Sequence, residues 1–197
     1  AISEEHLDVT SITGHTAETS IADGDLILIH DASASALRKM TKANFVSGVG
    51  GANTPAFEAF ATATQSSIGD NVLTKITFEG EVYDTDSKFN TSNQRFTPTV
   101  AGKYYVYGMV YIESSSGNNL NRADVHLYKN GATFKNSVAA YTVDDITYAI
   151  TGSISAVMDL DDDDYVEFYA RSNVFTGVSE LDGRIPSGTF GAFRIIT

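Results

Sequence analysis

From Tyr104 to Ile112 the chain reads Tyr-Tyr-Val-Tyr-Gly-Met-Val-Tyr-Ile, a run without a single charged residue. Aromatic and β-branched residues at this density predict a strand. Pro98 and Gly102 bracket a turn that leads into it, because proline pre-sets its φ and glycine accepts conformations other residues resist. One face of the strand carries Tyr104, Val106, Gly108, Val110 and Ile112, and the other carries Tyr105, Tyr107, Met109 and Tyr111. An antiparallel strand with one face in water carries a polar row, and none occurs here before Glu113. Both faces therefore need a cover. One cover is an opposing sheet of the same domain; the expected second is another subunit.

The 197 residues suffice for one ordinary domain and a smaller appendage, and ten Tyr with eleven Phe favour sheets. No cysteine is present, which excludes a disulfide framework and a thiolate metal site. A net charge of −12 argues against a nucleic-acid partner, since phosphate binding needs clustered Lys and Arg. No apolar run reaches membrane-spanning length, so membrane insertion is not expected. The opening Ala-Ile-Ser-Glu-Glu-His has neither the basic nor the apolar region of a secretory signal, so export by the Sec route is not expected.

Residues 1–20 are polar and expected to be extended or poorly ordered alone. The turn signal Asp23-Gly24-Asp25 leads to the apolar run Leu26-Ile27-Leu28-Ile29; small residues 32–36 form a loop, and Leu37-Arg38-Lys39-Met40 returns as the second strand of a hairpin. Thr41 can N-cap a short helix through Val46, ended by Gly48. A hairpin and one helical turn are marginal alone in water, so residues 1–46 need a partner surface. Residues 47–55, rich in Gly, form a linker and the domain boundary. From residue 56 to 197 strand signals alternate with turns: Val72 to Phe78, Val125 to Tyr128 before an Asn130-Gly131 hairpin turn, Tyr148 to Met158, Tyr165 to Arg171, and Thr189 to Ile196. The strand from Tyr148 sets Ile150, Gly152, Ile154, Ala156 and Met158 on one face against Thr151, Ser153 and Ser155 on the other, and is expected to be wet on that second side. The expectation is an all-β sandwich of about eight to ten strands.

Sites of chemistry are sparse. The acidic run Asp159 to Asp164 is a candidate Ca²⁺ loop through Asp161, Asp162, Asp163 and Asp164, since carboxylates are hard oxygen ligands. It departs from the EF-hand pattern, and a solvated turn is the plainer reading, as it is for Asp144-Asp145. His6, His15, His30 and His126 show no zinc spacing, and His126, between Val125 and Leu127, reads as an ordinary strand residue. There is no Gly-x-Ser-x-Gly elbow and no P-loop, and the glycines at 48, 50 and 51 lack the Lys and hydroxyl residue of a phosphate cradle. No enzymatic activity and no required cofactor are expected.

The ordered series Ala56-Phe57-Glu58-Ala59, Tyr83 to Asn90, Gln94-Arg95-Phe96-Thr97-Pro98, Ala101-Gly102-Lys103-Tyr104-Tyr105-Val106, Leu127 to Gly131, Leu160 before Asp164-Tyr165-Val166, and Thr189-Phe190-Gly191-Ala192-Phe193 resembles the C1q-like globular head of the C1q and tumour-necrosis-factor (TNF) superfamily. The resemblance covers about residues 55–197 and implies a ten-stranded jelly roll that assembles as a compact homotrimer. Where that family has a Gly-Asp turn before its penultimate core strand, this chain has Asp161-Asp162-Asp163-Asp164, so the loop should differ in charge and conformation. The stretch from Ile21 to Ser33, continued by Leu37-Arg38-Lys39-Met40-Thr41, resembles a module near the start of bacteriophage virion proteins, often tail fibres.

Together the resemblances imply a trimeric phage fibre, assembled in the bacterial cytoplasm and located in the virion, whose head contacts a host surface glycan or protein. The alternative is a capsid decoration or cement protein with no receptor role, and a third is a glycan-binding module unrelated to virions. The residues expected at the trimer interface are Tyr105, Tyr107, Met109, Tyr111 and Phe193. Those expected to anchor on other virion proteins are Leu26, Leu28, Leu37 and Phe45; those in receptor-contact loops are Ser115, Asn118 and Asn119.

Overall fold

The structure, a computed structural model, describes residues 13, 16, 20–47, 53–141, 146–183 and 188–195. Most of the polar stretch 1–20 (with His6 and His15), residues 48–52 of the glycine-rich segment, and the Asp144-Asp145 turn lie outside the described residues. The chain divides into two compact units, Ala1–Gly51 and Ala52–Thr197.

The first unit holds strands β1 (Leu26–Asp31) and β2 (Ala36–Thr41) and helix α1 (Lys42–Ser47). The hairpin pairs Leu26 with Thr41 and Asp31 with Ala36. Asp31 closes its loop, accepting from Ser33 N (3.0 Å), Ser33 Oγ (2.6 Å) and Ala34 N (3.1 Å). These bonds, the Ser33 hydroxyl foremost, hold the Asp31 carboxyl below its ordinary range. Asn44 N donates to Thr41 Oγ1 at 3.3 Å, the capping bond that starts α1.

The second unit is a sandwich of two antiparallel sheets. Its strands are β3 (Ala56–Phe60), β4 (Gln65–Ile68), β5 (Thr74–Lys75), β6 (Gly80–Asp84), β7 (Phe89–Asn90), β8 (Arg95–Phe96), β9 (Gly102–Ser114), β10 (Leu120–Lys129), β11 (Ala132–Ala140), β12 (Ala149–Leu160), β13 (Val166–Val174), β14 (Ser179–Leu181) and β15 (Gly188–Arg194). One sheet runs β4-β14-β9-β15-β3-β6, with β12 on the free side of β9; the other runs β11-β10-β13-β8-β7, with β5 also on β13. The stretch from Val72 to Phe78, expected as one strand, forms a strand only at Thr74 and Lys75, with Ile76 N still donating to the Phe168 carbonyl (3.1 Å). Side-chain amides replace the ladder beyond it: Thr77 N donates to Gln65 Oε1 (2.9 Å) and Phe78 N to Gln94 Oε1 (2.8 Å). The chain can then bend while Ile76 and Phe78 stay buried.

The core fills the gap between the sheets. Phe57 stacks on Phe89 and Phe96, each at 4.6 Å between centroids, and meets Phe190 edge-on at 5.1 Å. Phe168 and Phe78 continue the cluster across to β13. Such edge and offset contacts suit the ring quadrupole. Tyr104, Val106, Val110 and Ile112 of β9 point into this core and are fully buried. The Asn130-Gly131 turn between β10 and β11 has positive φ at both residues (52° and 78°), the two-residue turn whose twist matches a hairpin.

Strand register fixes the two ends of the sandwich. Gly102 pairs with Leu160, Tyr104 with Arg194, Phe193 with Ala56, and Lys129 with Val166, so these residues share one end with the chain's arrival at β3. Glu113 pairs with Ala149 and with Glu180, and Leu120 with Val174, so the loops 114–120 and 174–179 lie at the opposite end.

Candidate functional site

Four places merit attention as interaction sites: the outward face of β9, the loops at the end far from β3's start, the acidic loop, and the N-terminal hairpin.

The outward face of β9 carries the tyrosines. Tyr105, Tyr107 and Tyr111 are half-buried, Met109 is 36% exposed, and Phe193 on β15 joins Tyr105 at 5.5 Å between ring centroids. Within one chain this face is open, whereas the inward face is fully covered. Tyr107 lies flat across β15, over Gly191, where a Cβ would stand 2.5 Å from its ring. Its hydroxyl donates to Glu58 Oε2 at 2.6 Å. Burial, followed by the bond to Glu58, pushes the Tyr107 phenol far above its ordinary range, so it remains a donor at any physiological pH. Toward β12 the face turns polar through Ser153 and Ser155, and a groove of about 500 Å³ runs there between Tyr105, Tyr107, Met109 and Thr189. The face is therefore apolar rings with polar handles rather than a bare hydrophobic row.

The loops at the far end are knitted together through backbone groups. Ser115 N donates to the Val178 carbonyl (2.9 Å), and Phe175 N donates to the Asn119 carbonyl (3.0 Å). The Asn119 side chain takes Thr176 Oγ1 (2.9 Å) and donates to the Ser116 carbonyl (2.5 Å). Of the sequence-predicted contact residues, Ser115 and Asn118 are exposed, whereas Asn119 is committed to holding the loops and Ser115 Oγ takes Val178 N at 3.3 Å. Gly177, at φ 81°, lets the second loop approach Ser116 where a side chain would collide. Asp70 completes the frame, accepting from Asn173 Nδ2 (3.0 Å) and Val174 N (3.2 Å). The sequence reading missed Phe175, which is 49% exposed on this frame. Its signal was the uncharged run 172–179, Ser-Asn-Val-Phe-Thr-Gly-Val-Ser.

The acidic loop lies at the end where β3 begins. Its carboxylates are not gathered for an ion. Asp164 takes Lys129 Nζ (2.7 Å), Asn130 Nδ2 (2.5 Å) and Asp161 N (2.6 Å). Burial works against its charge, but the Asp161 amide and Lys129 outweigh it and hold the carboxyl below its ordinary range. Asp161, Asp162 and Asp163 are exposed, and among the described residues no group of three or more His, Cys, Asp or Glu could hold a metal. In the structure Asp164 of the candidate Ca²⁺ loop is pinned by Lys129 and Asn130, while Asp161, Asp162 and Asp163 stand on an exposed turn.

In the N-terminal unit Leu26, Leu28 and Leu37 share one hairpin face and are exposed, as is Phe45 on α1. The opposite face, with Ile27, Ile29 and Met40, is half-buried.

Two buried carboxylates stiffen the outer face of the second sheet. Asp124 is fully buried between Arg122 (Nε to Oδ1 2.7 Å) and Arg171 (Nε to Oδ2 2.8 Å). Glu167 Oε1 takes Lys75 Nζ (2.5 Å) and Arg95 Nε (2.8 Å). Desolvation opposes both charges, yet the cationic partners hold both carboxyls below their ordinary range. His126 sits on the same face near Tyr128, with neither ring nitrogen bonded among the described residues, and burial pushes it below its ordinary value.

No protein-family model matches the chain, and no curated protein matches it. Solved structures do. Eiger, a TNF from S. frugiperda, is 13% identical with a TM-score of 0.53 and covers 71% of this chain and 91% of its own. The globular domain of zebrafish complement 1qA protein is 17% identical (TM-score 0.49, 72% of this chain, 98% of that one). Murine APRIL at pH 5.0 is 12% identical (TM-score 0.48, 71% and 98%). The likeness is one of fold: the chain's large unit is a TNF-like jelly roll.

Proposed function

We propose that the chain is a structural protein of a bacteriophage virion, a homotrimeric fibre with a non-catalytic jelly-roll head that contacts the host surface. The observation that carries the assembly is the open outward face of β9, where Tyr105, Tyr107, Met109, Tyr111 and Phe193 stand on a sheet whose other face is fully packed. Tyr and Met are favoured in interfaces, and a single open patch on each copy closes a ring when it meets a different patch on the next. The exposed Leu26, Leu28, Leu37 and Phe45 support a docking role for residues 1–46 toward another virion protein. Within the second unit β3 starts at one end of the sandwich and the 114–120 and 174–179 loops close the other, so those loops lie at the end away from the chain's entry into it.

The test has two parts. Sedimentation of the full chain should give three times 21.1 kDa, and the labelled chain should be visible on intact particles and block adsorption when preincubated with host cells. A monomer at micromolar concentration refutes the trimer. Presence on the capsid without any block of adsorption would favour the decoration reading.

A further inference from the structure

We propose that the loop end of the sandwich binds a neutral carbohydrate, with the Phe175 ring as its stacking platform and Asn118 and Ser116 as its hydrogen-bonding edge. The inference deepens, and rests on, the reading of the head as a host-contacting module.

Charge is the first observation. The chain carries a net −12, yet residues 114–121 (Ser-Ser-Ser-Gly-Asn-Asn-Leu-Asn) and 172–179 (Ser-Asn-Val-Phe-Thr-Gly-Val-Ser) contain no charged side chain. Asp70, which accepts from this frame, is spent on Asn173 and Val174, and Glu113 and Glu180 flank the loops at the strand ends. Two uncharged loops on an acidic protein suit a ligand that is itself uncharged. Neither loop carries a cation to receive a phosphate or a sulfate.

Preparation of the surface is the second. The backbone bonds from Phe175 to Asn119 and from Ser115 to Val178, with both ends of the Asn119 amide, fix the two loops against each other before any ligand arrives. Binding then orders little that is not already ordered, which lowers its entropic cost. Asn119 and Asp70 are positioning residues in this arrangement.

Exposure of a flat ring is the third. Phe175 is half exposed, although phenylalanine gains by burial and the core has taken Phe57, Phe78, Phe96, Phe168 and Phe190. A pyranose presents an apolar face of C–H groups to such a ring and hydroxyls around its rim. Exposed Asn118 supplies two donors and an acceptor, and Ser116 a hydroxyl, for that rim. A lone sugar at one such site should bind at about millimolar strength. Three copies on one trimer would multiply that by avidity.

Saturation-transfer NMR on the full chain tests this, with the methyl glycosides of glucose, galactose and mannose, N-acetylglucosamine, and an anionic control, glucuronate. The expected result is transfer to at least one neutral sugar and none to glucuronate. Phe175→Ala should reduce that transfer at least fivefold and Phe175→Trp should keep it, while Phe134→Ala, at an exposed phenylalanine on β11, leaves it unchanged. No transfer to any neutral sugar, or equal transfer with Phe175→Ala, overturns the inference. The two readings can fail separately. Sugar binding by a chain absent from virions removes the virion reading and leaves this one. Block of adsorption that survives Phe175→Ala does the reverse.

Discussion

Replacing Glu167 by Gln keeps the outline of the side chain and removes its charge. The Glu167 side chain is 1% exposed, whereas its partners Lys75 and Arg95 are 30% and 38% exposed. Breaking a fully buried pair by removing one partner costs about 3–5 kcal/mol, chiefly because an uncompensated charge is left behind. Here water reaches both cations, Arg95 keeps its stacking on Tyr165 at 4.0 Å, and Lys75 keeps the Asn93 carbonyl at 3.2 Å. A loss of about 2–3 kcal/mol follows, which for a chain of this size lowers Tm by about 4–12 °C. The pH dependence has a definite sign. Lys75 and Arg95 hold the carboxyl below its ordinary 4.5, so its contribution is complete above that value and disappears as pH falls through the lowered one. Urea unfolding of wild type and Glu167→Gln, at one protein concentration, should therefore show a constant gap from pH 5 to pH 8. Below about pH 4.5 the gap should close, as protonated Glu167 becomes as neutral as glutamine. A gap that persists unchanged at low pH would assign the loss to packing. A gap below about 0.5 kcal/mol at pH 7 would show that the pair holds nothing together.

Three further outcomes are expected. Met109→Glu places a charge on the open β9 face and, if that face holds the proposed trimer together, should give a monomer by sedimentation with an unchanged far-ultraviolet spectrum. Gly152→Ala would put a Cβ 2.6 Å from Val125 Cγ1 in the core, and should cost about 1–3 kcal/mol in urea unfolding. Asn119→Ala removes the side-chain bonds to Thr176 and Ser116, and hydrogen exchange at residues 174–178 should accelerate while the β9 and β10 amides stay protected.

What was legible in the sequence was local. The hairpin from Leu26 to Thr41, the Asn130-Gly131 turn and the alternation from Ile150 to Met158 depend on period-two patterning and turn chemistry within a few residues. What was hidden depends on partners far along the chain. Glu167 meets Arg95 and Lys75 across 72 and 92 residues, and Asp124 meets Arg171 across 47. Tyr107 looked like part of an apolar row because Glu58, its acceptor, lies 49 residues earlier. Nothing local to the Asp161 to Asp164 run shows that Lys129 and Asn130 fold back onto Asp164. Asn119 looked available to a ligand for the same reason: its partner Thr176 is 57 residues away.

The arrival of the chain at one end of the sandwich has a mechanical consequence. β3 is flanked on both sides, by β15 from Ala56–Phe193 to Phe60–Thr189 and by β6 from Phe57–Asp84 to Phe60–Gly80. A tug on the segment before Ala56, with the opposite end held fast, acts along β3 rather than across it. The rungs on both flanks are then loaded together in shear, instead of opening one after another like a zip. With no cysteine to supply a covalent tether, this geometry gives the unit resistance to forced unfolding, a property set by the height of a barrier rather than by equilibrium stability.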